Sequence, residues 1–140
     1  MAEREDLIIA FLQANGWGSS TRHPLANDAS FRRYERLHAG TRTAVLMDAP
    51  PPQEDVRPFV AIAQHLVQLG YSAPRIIAES LKDGLLILED LGDNTYTRVL
   101  SEKPECEAKL YAKAIDLLID LHRRPAAESI PLGLTAYDVG

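Results

Sequence analysis

Apolar positions along this chain recur with two different periods, and the changes of period mark out its elements. Leu7, Ile8, Phe11 and Leu12 return at helical spacing. Glu3, Glu5 and Asp6 sit where a helix dipole favours acids, and Gly16 offers a stop, so the spacing predicts a helix over residues 3–14. Residues 22–26 read as a short strand. Asn27-Asp28-Ala29-Ser30 reads as a turn, because Asn and Asp bond to nearby backbone and tolerate the left-handed region. A strand from Phe31 to His38 follows. Ala39-Gly40-Thr41 turns, and Arg42 to Asp48 returns as the antiparallel partner.

The stretch APPPQED (49–55) cannot be regular structure, since three prolines remove N–H donors and restrict the residue before each. Glu54 and Asp55 then read as capping groups for a helix over 56–70. Phe59, Ile62, Ala63, Leu66 and Val67 share one face of it, Pro58 falls in its first turn, and Gly70 ends it. Residues 73–80 form a strand, 81–84 a turn, and LLILED (85–90) an apolar strand buried on both faces. A connector with a short helix leads to Pro104. This proline opens a long helix with Leu110, Ala114, Leu117, Leu118 and Leu121 on one stripe. The order predicts an α+β fold, with a five-stranded antiparallel sheet and a helix packed between its third and fourth strands.

Composition narrows the function classes. A chain of 140 residues with 46% hydrophobic and 25% charged residues suits one globular domain. A net charge of −5 argues against nonspecific binding to nucleic acid or anionic membrane, though Arg32 and Arg33 form a local basic patch. No segment is long and apolar enough to span a bilayer, and the charged, amphipathic start is unlike a signal peptide, so the cytoplasm is expected. Cys106 is the single cysteine, which rules out an internal disulfide, and it reads as a packed bystander. His23, His38, His65 and His122 are scattered without metal-ligand spacing. His122 reads as a hydrogen-bonding residue where helix meets loop.

Four segments in order carry a resemblance. LLILEDLGD (85–93) resembles the fifth strand and hinge of the aminoglycoside phosphotransferase family, whose fold is kinase-like. DASFRRYERL (28–37), AVLMDAPP (44–51) and DLHRRP (120–125) resemble its branch of anomeric N-acetylmuramate and N-acetylglucosamine kinases. Taken alone, LLILEDLGD also reads as a core strand followed by solvated acids.

The resemblance implies a small lobe over residues 1–90, then hinge, connector and the start of a large lobe over 91–140. It implies an ATP site in which Leu88 guards the back of the pocket. The Glu89 carbonyl and the Leu91 N–H would meet the adenine edge, and Val45 and Tyr34 would line the base. Asn27, Asp28, Ala29 and Ser30 would lie over the phosphates. The kinase strand lysine is replaced by Met47, which would point the same way as Val45, and the helix over 56–70 has no acid to serve as its partner. Arg32, on the face of Tyr34, would supply the cation instead, with Arg33 facing outward.

The resemblance also implies Mg2+, an amino-sugar acceptor and a place in peptidoglycan recycling. No His-Gly-Asp catalytic motif occurs in the sequence, so no catalytic or metal residue is assigned. The expectation is a chain that carries the nucleotide-binding part and lacks the chemistry. The alternatives are a kinase acting on an aminoglycoside or other small alcohol, and a non-catalytic nucleotide-binding or interaction module.

Overall fold

The computed structural model describes residues 2–25 and 30–125. Contacts divide the chain into two compact units, Met1–Asp90 and Leu91–Gly140. In the first, helix α1 (Ala2–Ala14) precedes strands β1 (Thr21–Pro24), β2 (Arg33–Ala39) and β3 (Arg42–Asp48). Helix α2 (Arg57–Gln68) and strands β4 (Ile76–Ser80) and β5 (Leu85–Glu89) complete it. The five strands form one antiparallel sheet in the order β1-β2-β3-β5-β4, so α2 and β4 together carry the chain past β5 before it returns to pair with β3. The α+β architecture expected from the pattern is the one observed.

Strand alternation splits the apolar residues between two faces. On one face Leu37, Ala44, Leu46, Leu85 and Ile87 meet Ile8, Phe11 and Leu12 of α1 and Trp17 after it. On the other, Met47, Leu86 and Leu88 meet Val56 and Val60 at the start of α2, with Tyr34, Val45, Phe59 and Ile76 packed against them. Strand β5 is thus apolar at four consecutive positions because both of its faces are covered.

Two glycines have positions that only glycine fills well. Gly70 has φ +90°; its N–H donates to the Val67 carbonyl and that of Tyr71 to Leu66, which closes α2 in a Schellman motif. Gly84 has φ +65°, and a Cβ there would stand 2.0 Å from the Ala49 carbonyl oxygen. That contact ties the β4–β5 turn to the end of β3, where Ala49 N–H donates to the Gly84 carbonyl at 2.9 Å.

Several sequence expectations shift. Strand β2 begins at Arg33 and not at Phe31, so Phe31 and Arg32 precede it. Strand β4 begins at Ile76, after Pro74, which has no N–H for the ladder. Strand β1 ends at Pro24, although Leu25 N–H still donates to the Tyr34 carbonyl. Val56 occupies the N-cap of α2 with no side-chain cap; Asp55 lies one residue earlier and accepts from the Arg57 N–H.

In the second unit, helix α3 (Tyr96–Glu102) is capped by the Thr95 hydroxyl, which accepts from the Arg98 N–H. A single 3-10 turn, Pro104–Cys106, leads into α4 (Glu107–His122). Tyr96 and Tyr111 meet edge to face, joining α3 to α4. Of the stripe on α4, Leu110 and Ala114 are half-buried, while Leu117, Leu118 and Leu121 are exposed, Leu117 at 50% and Leu118 at 54% of full accessibility. Cys106 is half-buried. The Nδ1–H of His122 donates to the Leu118 carbonyl at 2.6 Å, the helix-end role expected for it.

Candidate functional site

The register of the sheet decides which side chains share the face toward α2. Tyr34 lies opposite Met47, and Met47 opposite Leu86; Arg36 lies opposite Val45, and Val45 opposite Leu88. Directly opposed residues share a face. Tyr34, Arg36, Val45, Met47, Leu86 and Leu88 therefore form one surface, apolar at its centre and basic at Arg36. Val45 and Tyr34 remain half-buried, while Leu88 is buried. Such a wall, flat and mostly apolar with few polar groups, suits an aromatic base.

Met47 is the main correction. It shares the face of Val45, as alternation requires, but it is fully buried between Leu86, Val56 and Val60. Helix α2 closes over it, so it offers no surface to a phosphate. This is not legible in the sequence, because where α2 lands on the sheet is not encoded in the period of either element.

Arg32 stands at the edge of the same face. Its Nε donates to Glu54 Oε2 at 2.9 Å, its guanidinium carbon lies 5.8 Å from the Phe59 ring centroid, and its N–H donates to the Ser30 hydroxyl at 3.2 Å. The two side chains are part-buried, at 26% and 15% exposure. Partial burial disfavours the arginine's charge, but hydrogen bonds to Glu54 and Tyr34 outweigh it and hold the pKa above the ordinary arginine value. Glu54, read from sequence as a capping group, is thus an ion-pair partner. The absence of an acid within the helix holds, yet the residue just before the helix provides one. Arg33 is exposed, as expected.

A second ion pair lies outside the sequence expectations. Arg36 meets Asp90 through two bonds, Nε to Oδ2 at 2.9 Å and Nη2 to Oδ1 at 3.2 Å, at 17% and 10% side-chain exposure. Asp90 is therefore not a solvated loop acid. The signal available in sequence was positional: Arg36 alternates onto the face of Tyr34, and Asp90 immediately follows the strand that carries Leu88.

The remaining expected site residues divide simply. Asn27, Asp28 and Ala29 lie outside the described residues, and Ser30 is the part of that turn that is described. Glu89 is half-buried and its N–H donates to the Arg75 carbonyl at 2.9 Å, which fixes the backbone at the strand end. Leu91 is exposed and opens the second unit. Among the described residues no group of three His, Cys, Asp or Glu side chains could hold a metal, and no helix is long and apolar enough to cross a membrane.

The pattern of the phosphotransferase enzyme family matches residues 21–139. The N-acetylmuramate/N-acetylglucosamine kinase of Pseudomonas aeruginosa is 45% identical over 128 residues, covering 89% of this chain and 36% of that protein. The protein of the same name from Caulobacter vibrioides is 39% identical over 151 residues, covering 89% of this chain and 41% of its own length. The one from Neisseria meningitidis is 33% identical over 109 residues. The chain thus spans well under half the length of the curated relatives it matches.

Proposed function

The chain belongs to the phosphotransferase enzyme family, and on that premise we propose that it is the nucleotide-binding part of an ATP-dependent amino-sugar kinase. The acceptor is the anomeric hydroxyl of N-acetylmuramate or N-acetylglucosamine, the sugars in the names of its relatives. The observation that carries the reading is the face formed by Tyr34, Val45 and Leu88, an apolar wall with a part-buried guanidinium at its edge. Tyr34 and Val45 cover the base and Leu88 closes the rear. The Glu89 carbonyl and the Leu91 N–H pair with the base edge. Residues 27–30 and Arg32 hold the phosphates. Residues 1–90 act as the small lobe, and 91–140 begin the larger one.

In the reaction the anomeric oxygen forms a bond to the γ-phosphorus, the bond to the β,γ-bridging oxygen breaks, and ADP leaves. The hydroxyl proton passes to a general base, a role to which no residue of this chain is assigned. Mg2+ would shield the phosphates in the manner usual for phosphoryl transfer. The site in this chain contributes base recognition and one fixed cation. ATP and its sugar acceptor place the reaction in the cytoplasm, and the sugar 1-phosphate would enter peptidoglycan recycling.

The test is to incubate the intact protein with Mg2+, ATP and each sugar and to look for the sugar 1-phosphate by phosphorus NMR. Residues 1–140 alone should form none. Turnover of an aminoglycoside or choline-like alcohol in place of either sugar would move the acceptor. Nucleotide binding without any turnover would favour a non-catalytic module.

A further inference from the structure

Arg32 and Arg36 are two arginines on the face toward α2, and Arg36 is held by both carboxylate oxygens of Asp90. Met47 is sealed under α2 and is no cation. Arg32 differs from Arg4 and Arg22 in what it joins. Arg4 and Arg22 tie α1 to the sheet and its turns, whereas Arg32 spans from the approach to β2 to the loop before α2. Its guanidinium lies against Phe59 and bonds one oxygen of Glu54.

We propose that Glu54 is an internal stand-in for the nucleotide's phosphate. It occupies Arg32 when no nucleotide is present, and a phosphate group displaces it on binding. This rests on the reading of the chain as a nucleotide-binding part. A phosphate carries more charge than a carboxylate and more oxygens that match the guanidinium fork, so it is the stronger partner once present. Glu54 also has somewhere to go. It borders a hollow of about 470 Å³ whose wall includes Lys82 as well as Arg57, the latter already paired with Asp55 at 2.9 Å, so Lys82 is the positive charge a displaced carboxylate would meet. Glu54 is thus a residue that sets phosphate affinity without touching the nucleotide, and it couples the site to the loop that enters α2.

The consequence is a pair of opposite signs. The experiment titrates ATP and adenosine separately into the intact protein by calorimetry, as wild type, Arg32→Gln and Glu54→Gln. The wild type should prefer ATP over adenosine by at least about tenfold, and Arg32→Gln should lose most of that preference. Glu54→Gln should tighten ATP by about threefold or more, because the site no longer spends part of its time self-occupied, while adenosine affinity stays unchanged. A gain in affinity cannot come from a damaged fold, so Glu54→Gln carries the test even if Arg32→Gln proves unstable.

A purely structural ion pair would make both variants weaken both ligands alike, or neither. That outcome, an unchanged or weaker ATP affinity in Glu54→Gln, or a wild type without preference for ATP, overturns the proposal. A protein that shows the opposite signs yet phosphorylates neither sugar refutes the acceptor and keeps Glu54 in its role. One that makes sugar phosphate while Glu54→Gln fails to bind ATP more tightly refutes the role of Glu54 alone.

Discussion

The two faces of the sheet are covered by one helix each, yet they are built differently. Toward α1 the contact is apolar throughout, and the charges sit at its rim. There Arg4 joins Asp48 and the carbonyls of Asp83 and Gly84, while Arg22 bridges Glu5 and Glu35. Hydrogen bonding to Glu35 and Glu5 raises the Arg22 pKa, and the bond from Arg22 lowers that of Glu5. Toward α2 the apolar cluster covers only part of the sheet, and Tyr34, Arg36 and the Arg32–Glu54 pair lie beside it. A closed apolar face gives stability but has nothing with which to select a ligand. A face left half-covered, with part-buried charges held by named partners, gives up burial and gains recognition.

Leu46 and Met47 test this contrast most severely, because they are neighbours on β3, face opposite ways, and are both fully buried. Leu46→Ala should cost about 2–5 kcal/mol in urea unfolding, from lost burial and the cavity left behind. Met47→Lys should cost about 3–5 kcal/mol, because the ammonium would enter the apolar cluster without a partner. It should also give no gain in phosphoryl transfer. A lysine at position 47 that raised turnover would break the comparison, since it would mean that the site opens onto Met47.

At the rim, Arg4→Ala removes hydrogen bonds that join α1 to the end of β3 and the β4–β5 turn. The expected loss is about 1–3 kcal/mol of stability, with nucleotide affinity unchanged. A loss of affinity equal to that of an Arg32 variant would show that the two faces are not separable. On the side proposed to face the nucleotide, Arg32→Ala should lower kcat/KM for ATP by at least about tenfold, or about 1.4 kcal/mol, in the intact protein. The smallest effect belongs to its neighbour. Arg33→Ala should stay within about 0.5 kcal/mol of wild type in stability, with little change in turnover, because the side chain is exposed. If Arg32 and Arg33 behave alike, the part-buried ion pair has no functional weight.

Much of the first unit was legible from local pattern. The β2–β3 hairpin, the apolar run of β5 and the Gly70 stop are set by residues within a few positions of one another, and the structure has them where the pattern put them, with ends shifted by a residue or two. The long stripe of α4 is also legible as a pattern, but a stripe gives no measure of its own exposure. The site was less legible. Tyr34, Val45 and Leu88 could be placed on one face by alternation once the strands were aligned. Glu54 and Asp90 could not be placed, because both lie just outside regular elements, where no period constrains the side chain.

The sequence by itself determined the order of elements, the antiparallel return of β2 on β3, and which residues of each strand face the same way. These depend on backbone geometry and on the alternation or helical spacing of apolar residues, which act over short distances along the chain. Only the tertiary structure decided that α2 would close over Met47, and that Arg32 would meet Glu54 and Arg36 would meet Asp90, 22 and 54 positions away. Periodicity assigns a residue to a face, but the partner it finds there depends on where another element comes to rest. That is set by packing across the whole sheet.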